Sequence, residues 1–289
     1  MSLFEFIQQS PTALICSCFL LGLIIGSFLN VVIHRLPLMM QAEWQTQCQS
    51  YLGQAPENDH PTFSLAYPGS RCPHCQTAIA WYDNIPLLSY ALLKAQCRHC
   101  QTTISVRYPL VELLTAICSA IIGWRFGFDI TTLAGLVLTW ALIAQSFIDL
   151  DHQLLADSIS LPLLWLGLLL SLSGLYCDSH DSIIGAVAGY MSLWSVYQLF
   201  KLATGKEGMG YGDFKLLAML GAWLGWQQLT LIIVLSSLLG SVAGITIIMA
   251  KQYSYETAIP FGPYLATAGW LALLFGNQIN AWYLDTLFL

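Results

Sequence analysis

The chain has 289 residues, of which 56% are hydrophobic and only 9% charged, with a formal net charge of −6. Soluble domains carry about 25% charged residues, so this composition excludes a soluble globular domain. It predicts an all-α polytopic protein embedded in a lipid bilayer, and no nucleic-acid partner is expected.

A membrane span needs about 20 apolar residues. The first such segment covers roughly residues 11–33. No Lys or Arg precedes Arg35, so the basic region of a cleavable signal peptide is missing. The segment is therefore expected to stay as a span.

Residues 34–107 form the only sizeable polar segment. It carries Cys72-Pro73-His74-Cys75 and Cys97-Arg98-His99-Cys100, two CxxC motifs with 21 residues between them. Four thiolates at this spacing suit a tetrahedral Zn²⁺, and four protein ligands leave no open position for catalysis. The zinc is thus expected to be structural, holding together a piece too small to build its own core. The competing reading, redox pairs or free thiols, lacks a surrounding thioredoxin-like pattern. Cys16, Cys18 and Cys118 read as small buried hydrophobes. Cys48 and Cys177 carry no assigned function.

Two further spans are expected near 108–126 and 130–148. Glu112 lies inside the first of them, where a carboxylate is costly unless paired. The second ends on Ile148-Asp149-Leu150-Asp151-His152. Asp149, Asp151 and Asp157 are competing acidic candidates there. Asp157 precedes the next apolar run and is expected to cap it. The residues alone do not single out Asp149.

Spans near 158–176 and 182–200 lead to Gly208-Met209-Gly210-Tyr211-Gly212-Asp213-Phe214-Lys215. The glycines at 208, 210 and 212 permit unusual backbone and close approach of a substrate. The plain alternative is a loop whose Asp213 caps the next helix. A span near 213–226 is short, and Gly221 and Gly225 predict close packing against neighbours rather than lipid. Spans near 229–250 and 260–284 bring the number to about eight.

Nine of the ten basic residues fall on one side of an eight-span arrangement, with only Arg125 on the other. The excess marks the cytoplasmic side. Asp149 and Asp213 then both lie at cytoplasmic ends of spans, where they can meet. Two adjacent carboxyls that share a proton can activate a water and polarise a carbonyl.

Taken together, these motifs resemble those of the type 4 prepilin peptidases. The resemblance runs nearly the whole chain. It includes Gly26-Ser27-Phe28-Leu29-Asn30-Val31-Val32-Ile33-His34-Arg35-Leu36-Pro37, the paired CxxC motifs, and Arg107-Tyr108-Pro109-Leu110-Val111-Glu112-Leu113. It continues through Ile148–His152, the GxGxGDxK stretch, and Pro260-Phe261-Gly262-Pro263-Tyr264.

The resemblance implies a bifunctional enzyme of the bacterial inner membrane. Such an enzyme removes the leader of type IV prepilins and type II secretion pseudopilins at the cytoplasmic face. It then methylates the new N-terminus with S-adenosyl-L-methionine. The family's catalytic aspartates fall on Asp149 and Asp213. The methyltransferase association points to 34–107, with Asn30, His34, Arg35 and Glu112 as cofactor-binding candidates. The implied organisation is a first span over 1–33, a zinc-binding methyltransferase-associated segment over 34–107, and a seven-span aspartyl peptidase domain over 108–289. Ala156 departs from the family, which usually has proline there. The rival readings are a presenilin-like intramembrane aspartyl protease without methylation and a carboxylate-based transporter.

Overall fold

A computed structural model describes residues 3–53, 64–250 and 259–287. Lys251, counted above among the basic residues, lies outside them. The described chain is helical: α1 (Leu3–Gln9), α2 (Pro11–Tyr51), α3 (Leu88–Leu92), α4 (Arg107–Phe126), α5 (Ile130–His152), α6 (Asp157–Ser171), α7 (Ser179–Thr204), α8 (Tyr211–Leu224), α9 (Leu229–Met249) and α10 (Gly262–Leu287). Among the described residues there is no strand, only two isolated bridges, Arg71 to Ala78 and Gln96 to Thr103.

Each of the eight expected apolar segments is helical. Among the described residues, five helices are long and apolar enough to cross a membrane. The count of eight is thus approximate, with α6 and α8 at 15 and 14 residues the short ones. The first helix does not stop near residue 33. It continues through Pro37 to Tyr51, 41 residues in all, well beyond what a bilayer requires.

The chain folds as two compact units, Met1–Trp140 and Ala141–Leu289. The division expected at 33/34 and 107/108 separates membrane from solvent. The observed one separates bodies of contact, and it places α4 with α2. Gly22 and Gly26 make that pairing close. A side chain on Gly22 would meet Ala116 Cα at 2.7 Å, and one on Gly26 would meet Glu112 Cα at 2.7 Å. Small residues spaced by four let helix backbones touch, which is how helices associate where the lipid offers no hydrophobic drive. Cys18 is buried in this interface, packed on Gly123. Cys16 is exposed and Cys118 half-buried, so only one of the three has the buried surroundings expected of it.

In the second unit α8 is the core. Phe214 and all residues from Leu216 to Leu224 are buried. At about 1.5 Å per residue it is about 21 Å long, too short to cross a bilayer core of about 30 Å by itself. It is instead packed among α6, α7 and α10. Gly185 and Gly189 of α7 lie against Gly221 and Leu217 of α8, the close packing expected from Gly221. Trp223 fits over Gly167 and donates its indole N–H to Leu163 O at 2.7 Å. Gly205 ends α7 in the left-handed region with its N–H returned to Lys201 O at 2.8 Å, a conformation that favours glycine.

Candidate functional sites

Both expected aspartates are buried in the second unit. Asp149 is 5% exposed and Asp213 7%. Asp149 stands one turn before the end of α5. The next residue after that helix, Gln153, turns left-handed and returns its N–H to Asp149 O at 2.9 Å. Asp149 Oδ2 accepts the Gly262 N–H at 2.9 Å. Gly262 opens α10, so the carboxylate sits where unpaired helix amides favour an anion. A side chain on Gly262 would strike Asp149 Oδ2 at 2.6 Å. Glycine is therefore required for the carboxylate to reach the amide.

Asp213 occupies the first turn of α8. The N-cap position belongs to Gly210, and no side chain caps it. Asp213 Oδ1 is buried and has no hydrogen-bond partner among the described residues, and Leu155 packs against both Gly212, the residue before Asp213, and Gly262, which donates to Asp149. A buried carboxylate oxygen without a partner is costly. Asp151 and His152, by contrast, are exposed. Asp157 does not cap α6 as expected: the cap is Ala156, without a side-chain bond. Its Oδ2 instead accepts from Lys215 Nζ at 2.6 Å, tying the start of α6 to α8.

None of Gly208, Gly210 and Gly212 has positive φ. What glycine supplies here is space. A side chain on Gly208 would meet the Phe200 ring at 2.8 Å, and one on Gly212 would meet Leu155 Cβ at 2.7 Å. A side chain on Gly210 would have only Asp213 Oδ2 at 3.7 Å and Gly212 N at 4.0 Å nearby.

The first unit holds two further features. Cys72, Cys75, Cys97 and Cys100 converge with all four sulfur atoms within 4.8 Å of one another. Cys72 and Cys100 Sγ are 3.8 Å apart, the edge of a tetrahedron of about 2.3 Å Zn–S bonds. This group can hold a metal ion.

The two halves of the cluster are built alike. His74-Cys75-Gln76-Thr77 repeats as His99-Cys100-Gln101-Thr102. Gln76 and Gln101 share a φ of 57°. Their N–H groups return to Cys72 O and Cys97 O at 2.9 and 3.0 Å. The Thr77 and Thr102 hydroxyls lie 3.4 and 3.3 Å from Cys75 and Cys100 Sγ. Thr102 draws the Cys100 thiol down to about 6, and Thr77 lowers Cys75 in the same sense. Both shifts favour the thiolate a metal needs. The repeat was legible in the sequence beyond the cysteines themselves.

Beside the cluster lies a cavity of about 470 Å³, and Asn30, His34, Arg35 and Glu112 all line it. Asn30 donates to Tyr108 O at 3.1 Å. Arg35 is buried and donates to Ser64 O at 3.0 Å and Leu65 O at 3.4 Å. It thereby holds the approach to the first CxxC against α2. Glu112 is buried, and its Oε2 accepts the Leu87 N–H at 2.9 Å. Leu87 has a φ of 58°, uncommon for a branched residue. Glu112 therefore satisfies the amide at a strained point of the cavity wall. Asp83, another lining residue, is bound bidentately by Arg98, at 2.8 Å from Nε and 2.5 Å from Nη2.

Sequence reasoning missed Gly262, Gln145 and Leu155 as parts of the aspartate site. Gly262 stood inside a recognised motif, but its contact with Asp149 spans 113 residues. No local signal marked the other two.

Residues 20–126 match the model for the bacterial peptidase A24 N-terminal domain, and 136–245 that for the type IV leader peptidase family. A prepilin leader peptidase/N-methyltransferase of Stutzerimonas stutzeri is 55% identical over 281 residues, covering 97% of each chain. The protein of that name from Pseudomonas aeruginosa is 53% identical, covering 99% of this chain and 98% of its own. One from Dichelobacter nodosus is 49% identical over 90% of this chain and 91% of its own. No solved structure gives a significant match. With both its cysteine-bearing N-terminal part and its aspartate-bearing helices matched, and full-length relatives above half identity, the chain belongs to the type IV leader peptidase family.

Proposed function

We propose that this protein cleaves the leader of type IV prepilins and type II secretion pseudopilins and then N-methylates the new N-terminal residue. The observation that carries the peptidase half is the burial of two carboxyls, Asp149 and Asp213, at the N-terminal ends of the neighbouring helices α10 and α8. One carboxylate takes a proton from water. The protonated partner donates a hydrogen bond to the scissile carbonyl oxygen while the water oxygen bonds to the carbonyl carbon. The C–N bond then breaks and the departing amine takes up the proton. Gly210 leaves the approach beside Asp213 open, while Gly208 and Gly212 give room to Phe200 and Leu155.

The methyltransferase half is assigned to the cavity of the first unit. S-adenosyl-L-methionine supplies a methyl group activated on a sulfonium. The volume lies in the range of small-molecule sites. Glu112 offers a buried carboxylate to a cationic ligand, Tyr82 and Tyr108 border the cavity with aromatic rings, and Asn30 and His34 supply polar groups. Arg35 positions the wall. Cys72, Cys75, Cys97 and Cys100 hold a structural Zn²⁺ that keeps Asp83 and Arg98 at the cavity edge.

The test is incubation of purified protein with a pseudopilin, with and without S-adenosyl-L-methionine, followed by mass analysis. Leader loss is expected in both, and one added methyl group only with the cofactor. Glu112→Gln should lower methylation and leave cleavage intact. An uncut substrate would end the reading.

The excess of basic residues on one side supports a reading in which the aspartates lie at the cytoplasmic face of the bacterial inner membrane. A prepilin inserted as an apolar helix with its basic leader still in the cytoplasm brings its scissile bond to that depth. Single cysteines beside Asp149 and Lys206 should react with an impermeant reagent from the cytoplasmic side, and one at Phe128 from the other. The exposed Cys16 and Cys48 are replaced in that background. Labelling of the Phe128 and Lys206 positions from one face would overturn the arrangement.

A further inference from the structure

Gln145 is 1% exposed, on the face of α5 that carries Asp149 one turn later. A primary amide so deep is costly unless its donors and acceptor are used. Here three bonds use them. Nε2 donates to Ala156 O at 3.0 Å and to Ser160 Oγ at 2.7 Å, and Oε1 accepts the Ala156 N–H at 2.9 Å. All three fall on the turn between α5 and α6 and the first turn of α6. A second tie, Lys215 to Asp157, fixes the start of α6 to α8.

The residue held between these ties is Leu155. Its Cβ lies 2.7 Å from where a side chain on Gly212 would stand, and its Cδ2 3.0 Å from one on Gly262. Gly212 precedes Asp213, and Gly262 donates to Asp149. Leu155 therefore fills the gap between the backbones that present the two carboxyls.

We propose that Leu155, clamped through Ala156 by Gln145, is the spacer that sets the separation of Asp149 and Asp213, and that both residues are positioning residues for peptide cleavage. The proposal rests on the reading of Asp149 and Asp213 as the cleaving pair. The clamp depends on a backbone N–H at position 156. Ala156 has φ −75° and ψ 116°, dihedrals that proline also adopts. Proline, the residue the family usually has there, would keep the turn but remove the donor, so in this chain it would leave Gln145 Oε1 unpaired. Conversely, Gln145→Met keeps the volume but leaves the Ala156 N–H without its acceptor.

The experiment measures cleavage kcat and KM, and methylation of a pre-cleaved substrate, for Gln145→Met, Ala156→Pro, the double variant, Leu155→Ala and Leu155→Met. Displacing a reacting group by about 1 Å can cost about 100-fold. We expect kcat to fall by about 10- to 100-fold in Gln145→Met, Ala156→Pro and Leu155→Ala, with KM and methylation unchanged. The double variant should regain most of the loss, because it removes donor and acceptor together. Leu155→Met should retain most activity because it preserves the volume.

Unchanged kcat in Gln145→Met and Leu155→Ala would overturn the proposal. So would a rise in KM alone, an equal loss of methylation, or a double variant no better than its parents. If Gln145→Met fails to accumulate, Ala156→Pro and the two Leu155 variants decide by the same criteria. Asp149→Asn and Asp213→Asn are run alongside. Full cleavage by either refutes the underlying pair, whereas dead aspartate variants beside fully active Gln145 and Leu155 variants refute only the spacer.

Discussion

Asp149→Asn and Asp213→Asn are each expected to lower prepilin cleavage by at least about 1,000-fold, near the upper range for loss of an acid or base group. Each substitution keeps the shape of the side chain and removes its ability to exchange a proton. In Asp149→Asn the new amide would still accept the Gly262 N–H through its carbonyl oxygen, so the α10 contact should survive and the protein should remain in the membrane. The double variant should be scarcely worse than either single one, because the pair acts as a unit. Methylation of a pre-cleaved substrate should persist in all three, since the cavity assigned to it is lined wholly by residues of the other unit. Kinetics with synthetic leader peptides and mass analysis of the N-terminus give both readouts. A single variant that cleaves at the wild-type rate would remove that residue from the mechanism.

Replacing Cys72, Cys75, Cys97 or Cys100 by serine is expected to have the second-largest effect. Structural zinc binding contributes about 10–16 kcal/mol of apparent free energy at pH 7 in small folded modules. Around the cluster, Trp81 is 80% exposed, Tyr67 71% and Leu92 72%, so apolar burial offers little to replace it. Each variant should purify without the roughly one equivalent of zinc expected for the parent. Each should become protease-sensitive within 64–106 and lose methylation at least as severely as cleavage. The metal should also leave as pH falls, because protons compete for thiolates. Metal analysis of freshly purified active enzyme decides the matter: absence of zinc would refute the assignment.

Membrane class, helical architecture and the four cysteines were legible in the sequence because each depends on local information. Hydropathy over about 20 residues reports the solvent of a helix, and two CxxC motifs carry a ligand set in their spacing. Gly221 predicted tight helix packing because its lack of a side chain acts wherever a neighbour arrives. The choice between Asp149 and Asp151 was different. Residues two positions apart on a helix point about 200° from one another, so both are equally plausible as a string, and only the packed partners bury one and expose the other. Gly262 gives Asp149 its amide partner across 113 positions, and Gln145, an ordinary polar residue in an apolar run, clamps a turn 11 residues away. Asn30, His34, Arg35 and Glu112 share one cavity only because Gly22 and Gly26 let α2 lie directly on α4. Sequence patterns report the environment a segment requires. Which side chains meet is decided by the close packing of helices, where one missing Cβ determines whether two distant groups come within hydrogen-bonding distance.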